Sequence, residues 1–172
     1  MGTMKNTNIR LRALEPGDLD MLYCLENDQS LWQDGCNTVP YSRDALSLYI
    51  ATCSNDFFQD RQLRMVVDVD GEAVGLVDLF DYDPKHSRAE VGIAICPQYH
   101  RRGYGTQALE ALRDMVERQL PLHQLYAYVA QSNMPAQRTF LRAGFHQQAI
   151  IADWIARPHQ GFVDAVLYQY IF

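Results

Sequence analysis

Residues 88–106 hold most of the groups able to do chemistry: a carboxylate, Glu90, an apolar run Ile93-Ala94-Ile95, and the basic, glycine-punctuated segment His100-Arg101-Arg102-Gly103-Tyr104-Gly105-Thr106. An apolar strand that runs into such a loop and then a helix makes an anion cradle. Gly103 and Gly105 admit backbone angles and close approaches that other residues resist. The first N–H groups of the helix have no carbonyl to bond and point at whatever sits there. Arg101 and Arg102 add charge that suits a diphosphate.

Several ligands use such a cradle. Gly103-Tyr104-Gly105-Thr106-Gln107-Ala108 fits the dinucleotide pattern G-x-G-x-x-G/A. That fold places its first glycine directly after the strand and an acid near the end of the next one. Here the seven residues Pro97 to Gly103 follow the strand ending at Cys96, and the next strand ends Val129-Ala130-Gln131 without a carboxylate. A Walker loop is excluded because no Lys-Ser/Thr follows the glycines. A plain helix-capping glycine turn leaves the two arginines unexplained.

The cradle must be held by regular elements, and the hydrophobic spacing supplies them. Ile9, Leu11 and Ala13 alternate with Arg10 and Arg12 as in a half-buried strand; Pro16-Gly17-Asp18 then opens a helix with Leu19, Leu22, Tyr23 and Leu25 inward. Ser30 to Tyr41 reads as a loop, and Ser42 to Cys53 as a second helix. Leu63–Val69 and Glu72–Phe80, joined by Asp70-Gly71, read as a hairpin. Arg88 to Cys96 extends this meander. The helix after the glycines carries Ala108, Leu109, Leu112, Met115 and Val116 on one face, with Glu110, Arg113, Asp114 and Glu117 largely outside. Leu125 to Val129 is a strand parallel to the Arg88 strand through a right-handed crossover. Asn133 caps a further helix with Pro135 in its first turn and Gly144 after its end. Phe145–Trp154 and Phe162–Phe172 close the chain as a hairpin. The predicted fold is α+β: a mostly antiparallel twisted sheet with one parallel strand pair, flanked by about four helices, in a single domain over residues 1–172.

Composition narrows the partners. The chain has 172 residues, 48% of them hydrophobic and 11% aromatic, enough for one real core. A net charge of −6 argues against a nucleic-acid surface and agrees with a cationic partner or with ordinary solubility charge. The four cysteines form no C-x-x-C pair and have no histidine at ligand spacing, so no metal site and no disulfide framework is expected. No run has the length of a membrane span and the first residues lack a signal core, so a cytoplasmic protein is expected.

Strand, Pro97-Gln98-Tyr99-His100-Arg101-Arg102-Gly103-Tyr104-Gly105-Thr106, amphipathic helix, then Asn133-Met134-Pro135-Ala136 and Leu141-Arg142-Ala143-Gly144-Phe145 resemble a GCN5-related N-acetyltransferase over nearly the whole chain. The opening Ile9 to Pro16 and Arg88-Ala89-Glu90 look most similar to the spermidine or diamine acetyltransferases and the ribosomal-protein alanine acetyltransferases. The resemblance implies acetyl-CoA as cosubstrate. Its diphosphate would lie on His100, Arg101, Arg102, Gly103, Tyr104, Gly105 and Thr106, and its pantetheine along Ile93, Ala94 and Ile95. Asn133 would touch the cofactor arm, a role it shares with helix capping, and Phe140 would pack under the pantetheine.

Amide formation from a thioester needs a neutral amine, an oxyanion donor and a proton for the leaving thiolate. Glu90 is the candidate base, with an ion pair to Arg88 or a lysine as its alternative role. A backbone N–H near Ile93 to Ile95 is the candidate oxyanion donor. The helix reads Asn133-Met134-Pro135-Ala136-Gln137-Arg138-Thr139-Phe140, with phenylalanine where relatives often carry a tyrosine acid. Tyr126, Tyr128, Ser132 and Thr139 are the substitute hydroxyls. For the acceptor, Trp32, Asp34, Tyr41 and Tyr49, with Asp28, Asp56 and Asp60, are the candidate aromatics and acids. The expected acceptor is a small-molecule primary amine such as a polyamine or diamine. An N-terminal peptide acceptor and a non-catalytic acyl-CoA-binding module are the alternatives. Further copies of the chain, as a homo-oligomer, are a possible partner; nucleic acid and membrane are not expected.

Overall fold

The computed structural model of the chain describes residues 9–32, 39–157 and 161–172. The alternating residues of β1 (Ile9–Arg12) pair antiparallel with β2 (Leu63–Val69). Asp70 and Gly71, with φ of 53° and 90°, form the tight left-handed turn that returns the chain as β3 (Glu72–Asp83). β4 (Arg88–Ile95) continues the antiparallel meander. β5 (Gln124–Ala130) then lies parallel to β4, and β6 (His146–Arg157) and β7 (Gly161–Ile171) form the closing hairpin. The seven-stranded order is β1-β2-β3-β4-β5-β7-β6.

Four helices of eight or more residues flank the sheet: α1 (Leu19–Glu26), α3 (Arg43–Thr52), α5 (Tyr104–Gln119) and α6 (Met134–Arg142), as the spacing predicts. α2 (Gln29–Trp32) and α4 (Phe57–Asp60) are single turns. α2 overlaps the start of the stretch read as loop; Asp28 Oδ1 accepts the Ser30 N–H at 2.9 Å and Trp32 Nε1 donates to the Glu26 carbonyl at 2.8 Å, which closes that turn locally. α5 and α6 cover one face of the sheet, burying Ala108, Leu109, Leu112, Val116 and Phe140 against Val77, Leu79, Val91 and Leu125. Each fully buried aliphatic side chain of this kind contributes about 1.5–3 kcal/mol. α1 and α3 cover part of the other face through Leu22, Leu25, Leu46 and Ile50 on Val66, Leu76 and Cys96.

Two details differ from the periodicity. Arg113 is half-buried rather than outside, because its guanidinium lies 4.1 Å above the Tyr170 ring and donates to the Ala143 carbonyl at the end of α6. β6 is longer than expected and interrupted. Ile151 pairs with Ala165 and Ile155 with Val163, so residues 152–154 bulge opposite Asp164. Asp153 takes a φ of 52° there, and its N–H bonds the Asp164 carboxylate at 3.0 Å.

Candidate active site

The glycine loop is built by geometry on both sides. Pro97–Tyr99 make one 3-10 turn after β4, and His100 Nε2 lies 2.7 Å from the Ile95 carbonyl, which ties the loop back to the strand end. Gly103 then takes a φ of 82° as the residue before α5, an angle at which a side chain is strained. The Gln107 N–H bonds the Gly103 carbonyl at 3.2 Å. The N–H groups of Tyr104, Gly105 and Thr106 precede any intrahelical acceptor and stay open. Gly105 is needed for a different reason: a Cβ there would meet Thr139 Cγ2 at 3.1 Å and Ile93 Cδ1 and Ile95 Cγ1 at 3.9 Å. At this point α5, α6 and β4 meet. Arg101 and Arg102 are exposed beside the open N–H groups. A diphosphate fits this donor set, since the N–H groups, the helix N-terminus and two cations all favour an anion.

β4 and β5 pair only at Arg88↔Gln124, Ala89↔Leu125 and Glu90↔Tyr126, and then part. The Cys96 N–H bonds the Val74 carbonyl at 2.9 Å, and antiparallel alternation carries that orientation to Ala94, Gly92 and Glu90. Ile93 and Ile95 therefore turn their N–H and C=O groups into the gap between β4 and β5. The Ile95 carbonyl is taken by His100, while the Ile93 backbone stays open. A pantetheine arm, itself an amide chain, fits such a strand edge.

Glu90 sits where the two strands part. Its carboxyl is pushed up to about 7, chiefly by burial and also by the Asp81 carboxylate, while a hydrogen bond from the Tyr128 N–H opposes the rise. Among the described residues the alternative ion pair does not form: Arg88 pairs with Asp83 at 3.3 Å. Asp81 is exposed and held at a φ of 50° in the bulge between Phe80, which pairs with Glu90, and Asp83. A cavity of about 460 Å³ opens beside it, lined by Asp60, Arg61, Phe80, Asp81 and Tyr82 among others.

Leu125, Ala127 and Val129 enter the core under α5 and α6, so Tyr126 and Tyr128 face the other side of the sheet, the side of Glu90. Their rings lie 5.8 Å apart, and Trp154, raised by the β6 bulge, lies 5.0 Å from Tyr128. This grouping is not legible in the sequence, because nothing local brings position 154 to position 128. Of the acids expected at the acceptor, Asp28 bonds Ser30, Asp56 caps α4, and Asp60 bonds Ser54 and lines the cavity beside Asp81. Trp32 is bonded to Glu26 and the Tyr41 backbone to Asn27, while Tyr49 lies 5.8 Å from the Arg64 guanidinium that pairs with Glu26 and Asp78. Asp34 lies outside the described residues.

Asn133 caps α6 through its side-chain oxygen, which accepts the Ala136 N–H at 3.1 Å. Phe140 is 3% exposed, edge-on to Phe145 and stacked on Tyr168, so its ring belongs to the core. The neighbouring hydroxyls are engaged: Tyr168 donates to Gln137 at 3.1 Å and Thr139 to the Pro135 carbonyl at 3.0 Å. The Cys96 thiol is buried and pushed up to about 11, mainly by burial, so it is not a nucleophile at neutral pH.

Known proteins resemble this chain in sequence and fold. The acetyltransferase (GNAT) domain model matches residues 8–146. Spermidine N(1)-acetyltransferase of Escherichia coli K12 is 31% identical over 140 residues, covering 80% of this chain and 73% of that protein. Its counterpart from Vibrio cholerae is 28% identical over 150 residues, covering 86% and 84%. The crystal structure of the Vibrio cholerae spermidine N-acetyltransferase in complex with CoA and spermine superposes with a TM-score of 0.81, at 26% identity and 95% coverage of each chain. The chain belongs to the GNAT acetyltransferases and uses acetyl-CoA to acetylate an amine.

Proposed function

We propose that the acceptor is a flexible aliphatic diamine or polyamine and that Glu90 draws the proton from its attacking nitrogen. The observation that carries this reading is the Glu90 carboxyl at the parting of β4 and β5, pushed up to about 7. A base of that strength is half ionised near neutral pH, where it accepts a proton with the least waste of either form. The similarity to spermidine acetyltransferases supports the acceptor class. So do Tyr126, Tyr128 and Trp154, whose faces suit an alkylammonium chain, with Asp81 beside them.

Acetyl-CoA supplies a thioester carbonyl that a neutral amine can attack. Glu90 takes the ammonium proton, directly or through one water, and frees the nitrogen lone pair. The N–H of Ile93 faces the gap and is the donor for the carbonyl oxygen as it gains charge. As the C–N bond forms, the C–S bond breaks and the sulfur leaves with the electron pair. Its thiol has an ordinary pKa of about 8.5. The protonated Glu90, being the stronger acid, can return its proton to that thiolate downhill. The attacking nitrogen must shed a second proton to become an amide. The Glu90 carboxylate, ionised again, takes it directly or through one water and gives it up to solvent, so one carboxyl serves all three proton steps and Phe140 needs no hydroxyl. Among the described residues Cys24, Cys53 and Cys96 are free, which suits a reducing, cytoplasmic setting.

Incubation with acetyl-CoA and separate acceptors, read by mass spectrometry, tests the acceptor. Spermidine or a short diamine should gain one acetyl group at a kcat/KM at least tenfold above that of N-terminal peptides. Preference for the peptides would overturn the reading.

A further inference from the structure

Arg101 and Arg102 stand side by side in the loop, yet the structure treats them differently. Arg101 is exposed at a φ of 61° and rests on no ring. The Arg102 guanidinium lies over the Tyr99 ring, 5.4 Å from its centroid. Tyr99 is itself fixed from three sides. Its ring packs against the apolar clusters on both faces of the sheet, and its hydroxyl donates to the Glu72 carboxylate at the start of β3. Tyr104, in the first turn of α5, lies 6.4 Å away. Arg102 has no ion pair among the described residues, so its charge is held in place without being neutralised.

We propose that Tyr99 is a positioning residue for cofactor binding: its ring is the platform that holds the Arg102 guanidinium beside the open N–H groups of α5, ready for the diphosphate of CoA. This rests on the reading that the loop His100 to Thr106 carries that diphosphate. The physical reason is entropic. A free arginine loses rotamer freedom on meeting a phosphate, whereas one already resting on a ring has lost much of it beforehand. The ring face also attracts the cation without competing for the N–H groups that a phosphate needs.

Titration calorimetry with CoA, dephospho-CoA and pantetheine, on the full chain and four variants, tests this. Tyr99→Leu should weaken CoA binding roughly two- to five-fold, the range of an exposed cation–π contact. Tyr99→Phe, which keeps the ring, should stay within about twofold of the parent protein. Arg102→Ala should cost about tenfold or more, the loss of a charge-assisted phosphate contact. Dephospho-CoA should show the same losses and pantetheine none. Adding Tyr99→Leu to Arg102→Ala should cost nothing further, because the ring acts only through the guanidinium. An undiminished Tyr99→Leu loss in the Arg102→Ala background would overturn the proposal, since it would make Tyr99 a general support of the loop. Losses confined to CoA and absent with dephospho-CoA would overturn the assignment to the diphosphate. Failure of the unaltered chain to bind CoA at all would instead refute the underlying cradle reading, so the two failures are distinguishable.

Discussion

At the scale of single residues, the proposed chemistry turns on the acidity of Glu90. Burial raises its carboxyl first, the Asp81 charge raises it further, and the Tyr128 N–H limits the rise. A base must be ionised to work, so kcat/KM for the amine should climb with pH through a limb centred near 7, well above the usual carboxylate range. Asp81→Asn removes a like charge and should move that limb to lower pH while leaving CoA affinity unchanged. Glu90→Gln should erase the limb and lower kcat about 100-fold or more, the usual worth of a general base. Stopped or continuous thiol-release assays between pH 5 and 9 read all three curves. A limb that stays at the same pH in Asp81→Asn would leave burial as the only cause of the shift.

Elements show how far the sequence carried its own structure. The Asp70-Gly71 turn, the Asn133 cap and the glycine before α5 were legible because each is decided within a few neighbouring residues. The aromatic group over Glu90 was not: it needs β5 beside β7, β7 beside β6, and a bulge at residues 152–154 that no local pattern announces. Phe140 reads as a groove residue from its motif position and is a core residue in the fold. Asp68 was also silent, a carboxylate 1% exposed within the otherwise apolar end of β2. Burial would lift it, but bonds from Arg12 and Arg10 and from the Gly71 N–H overcome that and hold it at about 2. Arg12 also pairs with Asp18 at 2.7 Å, so this one group joins β1, β2, the hairpin turn and the entry to α1. Asp68→Asn should cost roughly 3 kcal/mol in urea unfolding at pH 7, the range for breaking one side of a buried pair. A carboxyl depressed in the folded state stabilises above its unfolded value and loses that as pH falls towards 2. The gap between the two proteins should therefore narrow as the pH drops below 4; a gap that is constant with pH would show that Asp68 acts through packing alone.

For the molecule as a whole, the sheet is two blocks joined by a short seam. β1 to β4 form one block and β5, β7 and β6 the other, and between them only three residue pairs connect β4 to β5 before the strands part. α5 crosses from one block to the other, with its open N-terminus beside the gap. A cofactor lying in that gap, with its diphosphate on α5 and its arm along β4, touches both blocks at their weakest junction. Ligand binding stabilises the folded state by about 2.7 kcal/mol at a ligand concentration 100 times Kd, and here the gain should appear first at the seam. In hydrogen exchange read by NMR, the Ile93 amide, which faces the gap, should exchange quickly in the free protein and slow at least tenfold with CoA. The Ala94 amide, turned toward β3, should be slow in both states. Equal slowing of both amides would mean that CoA suppresses global opening without occupying the strand edge. Slow exchange at Ile93 without CoA would mean that the edge is already paired and that the arm binds elsewhere.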